Sequence, residues 1–309
     1  MIAFAVALAG FALFWLVRDP QEVRPSSLSE TEFKEFDIGG IPRSVTTTAD
    51  GVWVGRADRS VIKVHPRTGK TLAKVRLPFL PGQMIATGGT VWVGAIEGTS
   101  IGRLDPRTAK LVDEIEVGTT PQSLAVAEDG VLVAAFDDGV VKRLDATSGE
   151  VGDEILSGSE EFPSSVAAGF GAVWISDVVD DVVTRVGDES GDILEVAVGD
   201  SPTRVITGEG SVWVANFNAR SVSRIDPDVP DEPAAEILVG GKPGAMAVSD
   251  GYVLVLRPSS DSLVLIDAVA GRWTGDVYEL AEAPQDIAAG HGYFWIAGQD
   301  GTLTRVPRP

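Results

Sequence analysis

A ring of seven four-stranded β-sheets, an all-β propeller, is predicted by three features of the sequence. A proline recurs ahead of a small-residue strand at Pro42, Pro81, Pro121, Pro163, Pro202, Pro243 and Pro284, every 39–42 residues. Each proline is followed by an apolar strand centred on Trp53, Trp92, Leu132, Trp174, Trp213, Leu254 or Trp295. A third strand then ends in IKVH, GRLD, KRLD, TRVG, SRID, VLID or TRVP, and in six of the units a fourth strand follows. Four short strands in about 40 residues is the period of a propeller blade.

The order of the elements justifies each assignment. The first strand of a unit reads SLAVA, SVAAG, AMAVS or DIAAG. Its small side chains suit the crowded axis of a ring. The first hairpin carries ADG, GGT, EDG, GFG, GEG, SDG or GHG, which is turn chemistry. The tryptophan of the second strand is large enough to fill the wider gap between blades, and its indole N–H needs an acceptor once buried. The turn between the third and fourth strands reads HPRTGK, DPRTAK, DATSGE or DAVAGR. There Asp accepts from the turn backbone, and Pro and Gly supply the required dihedrals. His65 occupies the Asp place in its turn. Outside the first 18 residues no segment sustains a helical period.

The seventh unit stops after GTLTRV with no fourth strand, while EFKEFDIGG at 32–40 matches AAEILVGG at 234–241. Residues 33–38 are therefore expected to pair as the outer strand of the last blade, which closes the ring and removes its open edge. The propeller spans 32–309.

The beginning of the chain differs. Ile2 to Val17 carries no charge, and Arg18-Asp19-Pro20 ends the run. These 16 residues would make about 24 Å of helix, against about 30 Å of bilayer core. An interfacial Trp15 and a snorkelling Arg18 can cover part of the difference. With no basic residue ahead of it and no small-x-small cleavage pattern behind it, the run reads as an uncleaved single transmembrane anchor at 1–18 rather than a signal peptide. A polar tether follows at 19–31. The missing basic flank suggests sequence upstream of Met1. The protein is expected to be a single-pass membrane protein with its propeller outside the cytoplasm.

Composition limits the function. The 309-residue chain has no cysteine, which excludes disulfides, thiolate metal sites and cysteine nucleophiles. Its formal charge of −20 repels nucleic acid and anionic lipid, so no nucleic-acid partner is expected. No Walker A loop, dinucleotide fingerprint or EF-hand spacing is present, and no cofactor or metal is expected.

The spaced pattern of proline, VWVAN-type strand and RID-Pro turn, strongest in GSVWVANFNARSVSRIDP, resembles the bacterial propeller superfamily of YncE-like, YVTN-repeat, NHL-repeat and virginiamycin B lyase-like proteins. The resemblance covers 32–309. It implies the fold, and it implies that ligands bind at one mouth of the central channel. A membrane helix followed by such a propeller also resembles the sensor part of bacterial serine/threonine kinases, although no kinase motif is present. Lyase-like members show a Glu in a Trp-Phe-Thr-Glu phrase and a His after the loop proline, used with a divalent cation. Here Arg56, Asp177 and Asn216 stand at the Glu position, and no His follows any proline.

In that topology two sets of residues are expected on the mouth. After the prolines come Arg43, Gly82-Gln83, Gln122, Ser164, Thr203-Arg204, Gly244 and Gln285. Three residues beyond the second-strand centre come Arg56, Ala95, Ala135, Asp177, Asn216, Arg257 and Gly298. The expected ligand-binding residues are Arg43, Arg56, Asp177, Arg204, Asn216 and Arg257. The arginines suit a carboxylate or phosphate through forked hydrogen bonds. His65 and His291 fall in turns of the opposite face, away from any triad partner. Asp177, Asp180 and Asp181 with Asp137 and Asp138 are the densest acidic loops. The expected role is non-catalytic: a small ligand, peptide or protein docks on a rigid mouth. The alternatives are a cation-dependent lyase or lactonase using Asp177, and an envelope scaffold.

Overall fold

The computed structural model describes residues 28–127, 130–135, 140–156, 163–188 and 190–309. The expected anchor at 1–18, most of the tether, and the acidic pair Asp137-Asp138 lie outside the described residues. Among the described residues no helix is long and apolar enough to cross a membrane.

Seven antiparallel sheets of four strands each are present. The first blade shows the plan: an inner strand Pro42–Thr48, then Gly51–Arg56, Ser60–Val64 and the outer strand Thr71–Arg76. The inner strands of blades two to five begin at Pro81, Pro121, Pro163 and Pro202, and that of blade seven at Pro284. Blade six is the exception. Its regular inner strand is only Met246–Ser249, and Gly244 and Ala245 ahead of it still bond to the Leu256 backbone, at 2.8 and 3.0 Å.

The ring closes as expected. Lys34–Asp37 pairs with Thr302–Pro307, with Glu35 opposite Thr304 and Phe36 opposite Leu303. The Ile38 amide adds a bond to the Gly301 carbonyl at 3.0 Å. Phe36 is buried and stacks on Trp295 at 6.1 Å between ring centres. Ahead of this strand, Glu30–Glu32 forms a single 3₁₀ turn. Leu28 is buried in the cluster shared by blades six and seven, Phe33 meets Tyr278 at 5.9 Å, and Glu30 accepts the Glu279 amide. The last residues of the tether thus strap the joint between those blades.

The hairpin chemistry follows the sequence. Glu209 and Gly210 take φ of 50° and 72°, both positive, as a two-residue type I′ turn demands. Asp105, Asp145 and Asp267 each accept backbone amides two and three residues on. The His65 ring nitrogen Nδ1 accepts the Arg67 amide in the same way. The core sits between blades rather than within one. Trp53, Trp92, Trp174, Trp213 and Trp295 are completely buried there. Four of these indoles donate to an oxygen five residues earlier: Thr48 Oγ1, Gly169, Gly208 and Gly290 carbonyls, at 3.0–3.1 Å. The Trp92 Nε1 is buried without a partner among the described residues.

The RID-type motif of the third strand has a packing role. Its cation lies directly across the ladder from the tryptophan: Lys63 opposite Trp53, Arg103 opposite Trp92, Arg224 opposite Trp213. The charges stand 5.4, 5.7 and 5.4 Å from the ring centres. Such cation–π pairs contribute about 0.5–1 kcal/mol each at partly exposed sites. Where Leu254 replaces the tryptophan, its partner is Leu265, and the cation is gone.

Candidate functional site

The mouth of the channel is built by a bulge that recurs at the start of the inner strands. After the leading proline the register slips by one residue, between Pro42 and Ser44, Pro121 and Ser123, Pro163 and Ser165, Pro202 and Arg204, and Pro284 and Asp286. A bulge re-aims the side chains beside it. Here it turns the second residue after the proline toward the neighbouring blade or the axis. Four of these residues accept the next blade's amide: Asp286 from Val45 (2.9 Å), Gln83 from Leu124 (2.9 Å), Ser123 from Val166 (3.2 Å) and Ser165 from Val205 (3.2 Å). These bonds stitch the blades together at the axis.

The remaining three junctions lack this stitch. The Ser44 hydroxyl is buried without a partner among the described residues. Blade six offers Ala245, which has no acceptor. Arg204 instead reaches across blade six toward blade seven, and its Nη2 lies 3.7 Å from Asp286 Oδ1.

A cavity of about 500 Å³ opens at this mouth. Its charged lining is Arg43, Arg204 and Asp286, with Gln122 and Gln285 as amides and Ile96 and Phe217 as apolar walls. Arg43 is exposed and makes no hydrogen bond or ion pair among the described residues. Among the described residues the Arg204 side chain is held only by the long contact to Asp286. Burial pushes the Asp286 carboxyl above the usual carboxylate range; the charge of Arg204 and the Val45 and Ile287 amides offset part of that rise. Lys242 stands over the Phe217 ring at 4.3 Å, adding a third cation beside the apolar wall.

A hollow of about 630 Å³ lies on the opposite face, among the turns of blades one and two. Its carboxylate, Asp50, is already bound to Lys63 at 2.6 Å and to Thr48. The mouth is the smaller space, yet it alone of the two combines an unengaged cation with a loosely held one.

Of the six expected ligand residues, the structure brings Arg43 and Arg204 together at the mouth. The other four end second strands, where neighbouring protein groups engage them. Arg56 donates to the Ile38 carbonyl (3.2 Å) and pairs with Asp58 (2.8 Å). Arg257 is buried, donates to the Val239 carbonyl (2.9 Å) and to Ser262, and desolvation lowers its pKa. Both carbonyls precede a Gly-Gly pair. At Gly40, with φ of 73°, a Cβ would lie 2.9 Å from Arg56 Nε, so the glycine admits the arginine. Asn216 is fully buried and donates to Ser221 and Ser223. Asp177 is buried and accepts the amides of Val179 and Asp180. Asp181 likewise accepts the Ser201 amide.

Asp286 and Phe217 are mouth residues that the sequence reading passed over. The signal for Asp286 was its position two residues after a loop proline, where Arg204 also stands. Nothing in the sequence marks Phe217 apart from its place after VWVAN.

A divalent cation does not fit this mouth. The lining supplies one carboxylate, already committed to an amide and facing an arginine, and no histidine. Among the described residues no group of three His, Asp or Glu converges as a metal site anywhere.

No protein-family model and no curated protein sequence matches this chain. Solved structures do. The virginiamycin B lyase of Staphylococcus aureus superimposes with a TM-score of 0.78 at 16% identity, over 90% of this chain and 99% of that one. A catalytically inactive His-to-Ala variant of that lyase, with quinupristin, gives 0.76 at 16% identity, over 90% and 100%. Kuenenia stuttgartiensis hydrazine synthase gives 0.76 at 16% identity, over 89% and 97%. At this identity the likeness is one of fold.

Proposed function

We propose that this chain is a non-catalytic recognition module that captures an anionic group of a small ligand or peptide at the channel mouth, through Arg43 and Arg204. One observation carries the reading. In a chain of net charge −20, two guanidinium groups face one cavity, one unpaired among the described residues and one held at 3.7 Å. Guanidinium groups so placed can grip a carboxylate or phosphate in bidentate fashion. The closed ring fixes the backbone positions from which both reach, which lowers part of the ordering cost of binding. The apolar run at Ile2–Val17 supports a further part of the reading: a single-pass anchor that presents the propeller outside the cytoplasm, as a sensor or scaffold element.

A cation-dependent lyase or lactonase would need a base and oxygen or nitrogen ligands at the mouth. His65 and His291 both lie in turns of the opposite face. Of the acids in the 177–181 loop, Asp177 and Asp181 are engaged with backbone amides, and Asp180 is an exposed carboxylate.

The test is calorimetric titration with N-acetylphenylalanine, a carboxylate on an aromatic body that Phe217 and Ile96 can cover. Binding should weaken at least tenfold in the R43A/R204A double variant with the melting temperature preserved. Undiminished binding in that variant would overturn the assignment of the site.

A further inference from the structure

Around the mouth the charged side chains alternate. Arg204 enters from blade five, Asp286 from blade seven and Arg43 from blade one. Between the first two lies the short inner strand of blade six, where Gly244 and Ala245 line the floor and project at most a methyl group. Arg204 and Asp286 therefore face each other over a gap, at 3.7 Å, too far for a hydrogen bond. Asp286 is 7% exposed. Its Oδ2 is bonded to the Val45 amide, the Ile287 amide is a second backbone donor to the carboxylate, and its Oδ1 stands 3.7 Å from the Arg204 guanidinium at the cavity. A carboxylate oxygen at the cavity wall, beside a guanidinium that does not reach hydrogen-bonding distance, is open to a further donor from a ligand.

We propose that Asp286 is a ligand-binding residue and that the mouth selects a zwitterion, an α-amino acid with an apolar side chain. This rests on the anion reading above and adds a second contact to it. The ligand carboxylate lies on Arg204 or Arg43. Its ammonium, attached to the same carbon, lies on Asp286 Oδ1. The side chain runs along Phe217 and Ile96. A cation and an anion held just apart form the complement of a molecule whose own charges are fixed one carbon apart. A simple anion would gain the guanidinium but stand beside a carboxylate of its own sign, and a simple amine would meet two arginines.

Calorimetric titration of the full chain with three probes tests this. L-Phenylalanine carries both charges, N-acetylphenylalanine lacks the ammonium, and phenylalanine amide lacks the carboxylate. Phenylalanine should bind at least tenfold more tightly than either of the others. Asp286→Asn should erase the advantage over N-acetylphenylalanine while that probe still binds. Ala245→Leu, which fills the gap without touching a charge, should abolish phenylalanine binding, and melting curves check the fold of both variants. If N-acetylphenylalanine binds as tightly as phenylalanine, or D286N keeps the preference, the zwitterion inference fails and the anion reading stands. If neither carboxylate binds the wild-type chain, both fail.

Discussion

Replacing Phe36 by alanine tests ring closure where two distant parts of the chain meet. Phe36 sits on the segment from the beginning of the chain that, among the described residues, pairs with blade seven. It stacks on Trp295, lies under Arg305 at 5.8 Å, and packs against Gly69 of the first blade. Truncating a buried phenylalanine costs about 3–5 kcal/mol, and the lost aromatic pair accounts for about 0.5–1.5 kcal/mol of such effects. A loss near 4 kcal/mol is expected. Domains of about 150–250 residues lose about 2–4 °C per kcal/mol, so this slightly larger ring should lose up to about 8–16 °C in melting temperature. Thermal and urea unfolding, followed by tryptophan fluorescence, provide the assay. Leu238→Ala is the control, because Leu238 is 68% exposed on the outer strand of blade five and should cost less than about 0.5 kcal/mol. Equal shifts for F36A and L238A would refute the reasoning that this strand locks the ring.

Three other outcomes follow from single groups. Trp213 donates to the Gly208 carbonyl at 3.0 Å, whereas the Trp92 indole has no partner among the described residues. W213F should therefore destabilise more than W92F by about 1–2 kcal/mol, the worth of a hydrogen bond and its stranded acceptor; urea midpoints of equal size would contradict this. Asp286 in the fold has a raised pKa, so between its unfolded and folded values the native state holds the extra proton. Its ionisation then costs stability above the folded pKa, and the cost is relieved as pH falls through that value. D286N should raise the melting temperature at pH 7 and lose its advantage in mild acid. Asp58 runs the opposite way. Burial works against its ionisation, but hydrogen bonds from Arg56, Lys74 and Ser60 outweigh this and hold its pKa well below the ordinary range. D58N should therefore destabilise at pH 7 and converge on wild type in strong acid, which a pH series of melting curves would show.

The fold was legible because its signals are local and repeated. Pro, small-residue strand, VWV and the RID turn recur at one period, and each obeys its own physical rule. Even the closing register could be read, because EFKEFDIGG copies AAEILVGG before its proline. Half of that likeness has a second cause that only the coordinates reveal: the Gly-Gly pairs at 39–40 and 240–241 make room for Arg56 and Arg257. The site was less legible. Arg43 and Arg204 follow loop prolines, and spacing alone placed them at the mouth. Arg56, Asp177, Asn216 and Arg257 share an equally regular spacing because each ends a second strand; there Arg56 and Arg257 donate to a loop carbonyl, while Asn216 and Asp177 bond within their own blade. Asp286 reads in sequence as one more acid near a turn. Only the bulge after Pro284 and the shortened strand of blade six turn it into one side of a charged gap, and neither has a sequence period of its own.

The most direct test of the central claim is a crystal of the chain soaked with N-acetylphenylalanine. The account predicts density for its carboxylate at the channel mouth, within hydrogen-bonding distance of Arg43 or Arg204, with the phenyl ring against Phe217 or Ile96. A ligand found on the opposite face, among the turns near Asp50 and Arg107, with the mouth left to solvent, would contradict it.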